Sequence, residues 1–248
     1  MKKLLPVILL LTVQYSIAQS TDTKLYELRI YYCEPGRLDA LISRFQNHTT
    51  ALFEKHGMTN VGYWLPVNNE KNALYYVLSF PDEKSREASW KAFINDPAWQ
   101  TVRNKSEESG KIITSITSIL MKASDFSPLV QASQKNPERV FELRTYYCHP
   151  GKLSDLNTRF RNHTLKLFEK HGMTNVAYWE TIEKEANVQP KLVYILAHKS
   201  EEAGKASFDT FRKDPEWMKV ASESEKGGKI VEKIESVYMK PLAFSAIK

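Results

Sequence analysis

Between Lys24 and Cys33 the chain alternates as a strand does, with Tyr26, Leu28, Ile30 and Tyr32 on one side and Glu27, Arg29, Tyr31 and Cys33 on the other. Glu34-Pro35-Gly36 is a turn. From Arg37 to His56 the period changes. Leu38, Leu41, Ile42, Phe45, Thr49, Leu52 and Phe53 follow the 3.6-residue repeat of an amphipathic helix, and Gly57 stands where a helix ends. Met58–Leu65 and Ala73–Phe80 read as strands flanking a polar loop, and Asp82–Ile94 as a helix burying Ala88, Trp90 and Phe93. Asp96-Pro97 is a good N-cap and first-turn pair for a short extra helix. Lys111–Met121 is the fourth strand. The order is β-α-β-β-α-β, the ferredoxin-like plan, an antiparallel sheet with both helices on one face.

The same pattern then returns. Lys24–Trp64 and Arg139–Trp179 agree at 27 of 41 positions, at an offset of 115. After a three-residue insertion near Ala186–Gln189, Asp96-Pro97-Ala98-Trp99 corresponds to Asp214-Pro215-Glu216-Trp217. A unit this long is a small domain rather than a solenoid repeat. The expected organisation is therefore repeat 1 over 24–121, a Ser-, Asn- and Pro-containing linker over 122–138 and repeat 2 over 139–240. Tyr31, Tyr63, Tyr75 and the isoleucines of the fourth strand are poor solvent-facing choices, so the free sheet faces are expected to pack on each other.

Residues 1–18 stand apart. Lys2 and Lys3 precede the apolar run Leu4–Val13, and Ser16-Ile17-Ala18 suits a signal peptidase. The run is shorter than the ~20 residues of a spanning helix. Cleavage after Ala18 and an extracytoplasmic (periplasmic or secreted) location are expected, with no membrane span afterwards. The formal charge of +6 falls to +4 without Lys2 and Lys3, and the remaining bases are interleaved with acids, which gives nucleic-acid binding no support. The two cysteines, Cys33 and Cys148, are equivalent positions of the repeats and read as two buried free thiols rather than a bridge or a metal site.

The repeats resemble the NIPSNAP family. The resemblance rests on Tyr26-Glu27-Leu28-Arg29, Pro35-Gly36, Phe45-Gln46-Asn47-His48 and Lys55-His56-Gly57-Met58, and on Phe141-Glu142-Leu143-Arg144, Pro150-Gly151, Phe160–His163 and Lys170–Met173. It implies a fold: α+β, two tandem ferredoxin-like repeats packed as an intramolecular version of a dimeric α+β barrel. It implies no settled chemistry.

If Leu28 and its neighbours face the helices, Glu27, Arg29 and Tyr31, with Glu142, Arg144 and Tyr146, point into the barrel. There the charges must pair, because isolated buried charges are costly. They would form either an ion-pair network or a ligand pocket with an arginine forked onto an anion. His48 and His163, on the apolar side of the first helix of each repeat, complete the candidate set as core residues or proton-handling groups. No metal-binding, phosphate-loop or nucleophile-elbow motif is present. No cofactor is expected, although haem or another aromatic ligand would suit such a barrel. Three functions follow: a small-molecule-binding barrel, a cofactor-independent oxygenase or isomerase using the same pocket, and an assembly module with a filled barrel. A homo-oligomer is compatible with each.

Overall fold

The structure, a computed structural model, describes residues 22–134, 138–185 and 188–248. The expected signal segment lies outside them.

Each repeat is a ferredoxin-like unit. In the first, β1 (Leu25–Cys33), β2 (Thr59–Pro66), β3 (Ala73–Phe80) and β4 (Ile113–Ala123) form a sheet in the order β4-β1-β3-β2, all antiparallel. Helices α1 (Leu38–Arg44) and α2 (Thr50–Lys55) run on through a π-helical turn, Phe45–Thr49, followed by α3 (Glu83–Ile94) and α4 (Pro97–Ser106). Asp82 and Asp96 cap the last two by accepting from the backbone N–H of Ser85 and Ala98. The second copy repeats this with β5 (Val140–Cys148), β6 (Thr174–Thr181), β7 (Leu192–His198) and β8 (Val231–Pro241). Its helices are α5 (Leu153–Arg159), the π-turn Phe160–Thr164, α6 (Leu165–Lys170), α7 (Glu201–Arg212) and α8 (Pro215–Ser224).

The eight strands close into one barrel, β1-β3-β2-β8-β5-β7-β6-β4. Three-residue ladders join the copies: Trp64 to Pro66 pairs with Met239 to Pro241, and Met121 to Ala123 with Trp179 to Thr181. Closure removes the open edges that each sheet would present alone.

The linker does more than connect. Phe126 crosses to the second copy and packs on Phe160 and Tyr178, with ring centroids 6.2 and 5.6 Å away. Phe244, in the tail after β8, crosses back to Tyr63 at 5.2 Å. Ser127 Oγ accepts from the Tyr178 N–H and Ser245 Oγ from the Tyr63 N–H. Each copy thus clamps the other's second strand.

Three buried clusters result. The central one joins Tyr26, Leu28, Ile30, Trp64 and Tyr75 to Phe141, Leu143, Trp179, Val193 and Ile195. It fills the barrel. The other two lie between each sheet and its own helices. Cys33 and Cys148 are free and buried, one in each outer cluster. Among the described residues no helix is long and apolar enough to cross a membrane.

Candidate functional site

The faces of the first strand are the reverse of the sequence expectation. Tyr26, Leu28 and Ile30 point into the barrel, while Glu27, Arg29, Tyr31 and Cys33 lie under the helices. The reason is solvation. The barrel is lined mainly by apolar chains from both copies, whereas α3 brings the donors of Arg86 and Trp90 directly over Glu27.

Glu27 is fully buried and saturated. It accepts from Arg29 Nη1 at 2.6 Å, Arg86 Nε and Nη2 at 2.7 and 2.8 Å, Trp90 Nε1 at 2.9 Å and Ser118 Oγ at 2.6 Å. Burial raises its carboxyl, but the Arg86 hydrogen bonds and the Arg29 charge outweigh that and hold it at about 2. Arg29 is fixed in turn, donating from Nε to Tyr76 Oη at 3.0 Å and from Nη2 to Tyr31 Oη at 3.4 Å, with its guanidinium 4.3 Å from the Trp90 ring centroid.

In the second copy Glu142 accepts from Arg144 Nη1 at 2.5 Å and Ser236 Oγ at 2.6 Å, and His198 Nε2 lies 3.0 Å from its Oε2. Arg144 Nη2 donates to Tyr146 Oη at 3.4 Å. Burial again raises the carboxyl, and His198 and Arg144 again bring it below the ordinary value. The two carboxylate centres are therefore separate. Each ties its own strand to its own helices, and no ion pair links Glu27 or Arg29 to Glu142 or Arg144 among the described residues.

His48 and His163 are elsewhere. Both are exposed, and both sit on the π-turns rather than on the apolar side of the helix. Leu41, Phe45, Thr49 and Phe53 are all buried at a spacing of four. A regular α-helix would rotate each ~40° past the last. The wider π-turn absorbs that drift, keeps Thr49 inward and leaves His48 facing out. The Thr49 hydroxyl donates to the Arg44 carbonyl at 3.1 Å, and Thr164 to that of Arg159 at 3.2 Å.

Beneath each π-turn is a buried arginine that the sequence reading missed. Arg44 Nη1 donates to Ser106 Oγ at 3.1 Å and Glu107 Oε1 at 3.3 Å, and Arg159 does the same to Ser224 and Glu225 at 3.3 and 3.2 Å. Each guanidinium stands 5.3 Å from a tryptophan ring centroid, Trp99 or Trp217. Each Nε is buried without a partner among the described residues. The available signal was an identical charged residue on the core side of the same helix in both copies.

Two matching grooves open here. Arg44 and His48 line one of about 450 Å³ with Ser43, Val102 and Lys105. Arg159 and His163 line the other, about 320 Å³, with Thr158, Val220 and Glu223. Inside the barrel the pocket along Leu28, Leu143, Tyr75 and Tyr147 has only about 130 Å³. Among the described residues no cluster of His, Cys, Asp and Glu is placed to hold a metal ion. His56 and His171, at the helix ends, bond the capping carboxylates Asp96 and Asp214 at 2.7 and 2.8 Å.

The NIPSNAP family model matches residues 26–128 and again 141–246. The chain belongs to the NIPSNAP family. A NipSnap homolog of Dictyostelium discoideum is 23% identical over 211 residues, covering 83% of each chain. Two crystal structures share the whole two-repeat fold. A "putative monooxygenase" of Lactobacillus acidophilus has a TM-score of 0.56 at 12% identity, covering 88% of this chain and 94% of its own. One from Fusobacterium nucleatum has a TM-score of 0.57 at 10% identity, covering 91% and 98%. At such identities the likeness is one of fold. The NIPSNAP repeats thus form one closed eight-stranded barrel, with a carboxylate centre between each sheet and its helices and a groove beside each π-turn.

Proposed function

We propose that this NIPSNAP-family protein is an exported small-molecule-binding protein whose ligands occupy the π-turn grooves rather than the barrel interior. One observation carries this reading. Both copies keep an exposed Asn-His pair, Asn47-His48 and Asn162-His163, beside a buried arginine whose Nε has no partner among the described residues. Packing does not require an exposed histidine, and neighbouring exposed positions have diverged, as Gln46 and Arg161 have. Volumes of about 450 and 320 Å³ suit small organic molecules, whereas about 130 Å³ inside the barrel admits only a few atoms. Native mass spectrometry of protein purified from its own source tests the reading. A retained ligand adds mass, and the paired variant His48→Ala/His163→Ala loses it. A spectrum unchanged by that pair contradicts the proposal. Export is supported by Lys2-Lys3, the apolar run after them and Ser16-Ile17-Ala18. Sequencing of the mature N-terminus checks it, with Gln19 expected first.

The filled interior favours a second reading, an assembly module acting through its surface. Light scattering of the purified protein alone and with extract from its source separates the two. An enzymatic reading draws on the two fold neighbours described as putative monooxygenases and would use His48 or His163 to move a proton in a cofactor-independent oxygenation. Oxygen uptake that stops in the paired histidine variant would establish it.

A further inference from the structure

The two grooves share a floor and differ at the rim. Arg44 and Arg159 are equivalent, equally buried and equally paired, to Glu107 and Glu225. His48 and His163 are equivalent as well. The remaining charged lining is not. Lys105 in the first groove is Glu223 in the second, and Ala40 is Asp155. Among the described residues no acidic side chain lines the first groove, where Arg44, paired with Glu107 behind it, and Lys105 are the cations. In the second, Asp155 and Glu223 line the same groove as Arg159. Asp155 is drawn toward Lys152 at 3.0 Å, but Glu223 forms no ion pair among the described residues. Each set of groups lines its own small groove, and physiological salt leaves charge interactions effective over ~8 Å.

We propose that the first groove selects ligands bearing an oxyanion, a carboxylate or phosphate group placed between Arg44, His48 and Lys105, and that the second rejects them. This rests on the reading of the grooves as ligand sites. The exposed His48 ring and Lys105 provide donors at the rim, and the guanidinium of Arg44, buried and paired with Glu107, adds positive charge beneath them. In the second groove the same floor is screened by Glu223 and Asp155, which repel an anion and suit a neutral or cationic group. One chain thereby carries two specificities on one scaffold, from two rim exchanges.

Inorganic phosphate at fixed pH and ionic strength is the probe, added to the full chain. The ring resonances of His48 and His163, assigned from the spectra of His48→Ala and His163→Ala, are the readout. The His48 signal is expected to move saturably and the His163 signal not to. Lys105→Glu should weaken the first response about tenfold, as expected for reversing one exposed charge beside an anion. Asp155→Ala/Glu223→Lys should confer a saturable response on His163. Equal saturable responses at both histidines in the unaltered chain would overturn the charge selectivity while leaving the grooves as binding sites. Linear drift at both would overturn the oxyanion site, and the mass-spectrometric result would then decide separately whether the grooves bind anything.

Discussion

The imidazole of His198 lies against the backbone of Gly204, where an added Cβ would come within 3.0 Å of the His198 Cγ and within 3.0 Å of the Tyr238 ring. The corresponding residues of the first copy are Phe80, Arg86 and Leu120. The exchanges compensate one another. Where Arg86 reaches Glu27, Gly204 has no side chain, and His198 supplies a donor for Glu142 from the neighbouring strand. Gly204→Ala should therefore destabilise the protein by about 1 kcal/mol. Overpacking at a fully buried His198 costs 1–3 kcal/mol and exceeds the ~1 kcal/mol that alanine gains in a helix. Denaturant unfolding checks this, and a more stable variant would mean that His198 is free to move.

His198→Phe should cost about 2–3 kcal/mol, because Glu142 loses a buried donor while keeping Arg144 and Ser236. His198→Phe/Gly204→Arg/Tyr238→Leu brings the first copy's arginine to Glu142, with Phe208 still standing where Trp90 does, and should recover part of the loss. If the triple variant is no better than the single one, the two carboxylate centres are not interchangeable solutions.

Both centres give stability an acid limb. A carboxyl held below its unfolded value contributes stability above the unfolded pKa and loses it as pH falls through the folded one. For Glu27 that window runs from about 4.5 down to about 2 and is worth up to about 3 kcal/mol. Unfolding free energies measured from pH 6 to 2 should fall less steeply in Glu27→Gln, which begins less stable at pH 6.

Alternation in β1 revealed which residues share a face, since Glu27 travels with Arg29 and Leu28 with Ile30. It could not reveal which face met the other copy, because both are buried. The deciding information lay outside the strand, in Arg86 and Trp90, four apart on one helix and complementary to a carboxylate. The fold was legible because the duplication fixed the element order. The π-turns were not, since the four-residue spacing of Leu41, Phe45, Thr49 and Phe53 also fits an ordinary helix over short stretches. That ambiguity put His48 and His163 on the wrong side of the helix. The crossing of Phe126 was hidden in a segment whose composition reads as linker, and that of Phe244 in the tail beyond the last expected strand.

Gly62 and Trp64 mark a second asymmetry. A Cβ on Gly62 would come within 2.1 Å of the Trp64 ring, although the second copy carries Ala177 at the equivalent position. Gly62→Ala should force the Trp64 ring to turn inside the filled barrel and cost about 1–3 kcal/mol. Tryptophan fluorescence together with thermal unfolding checks both parts.

Burial pushes the thiols of Cys33 and Cys148 up to about 11. Neither should react with a thiol reagent in the native protein, and both should react after unfolding. Rapid native labelling of either would contradict its placement beneath the helices.

The central claim is that His48 and His163 serve binding rather than folding. Thermal unfolding of the unaltered protein and of His48→Ala/His163→Ala, each with and without the small molecules extracted from native material, tests it most directly. Without extract the two melting temperatures should agree closely, because both rings are exposed. With extract only the unaltered protein should rise. An equal rise in the variant would contradict the account.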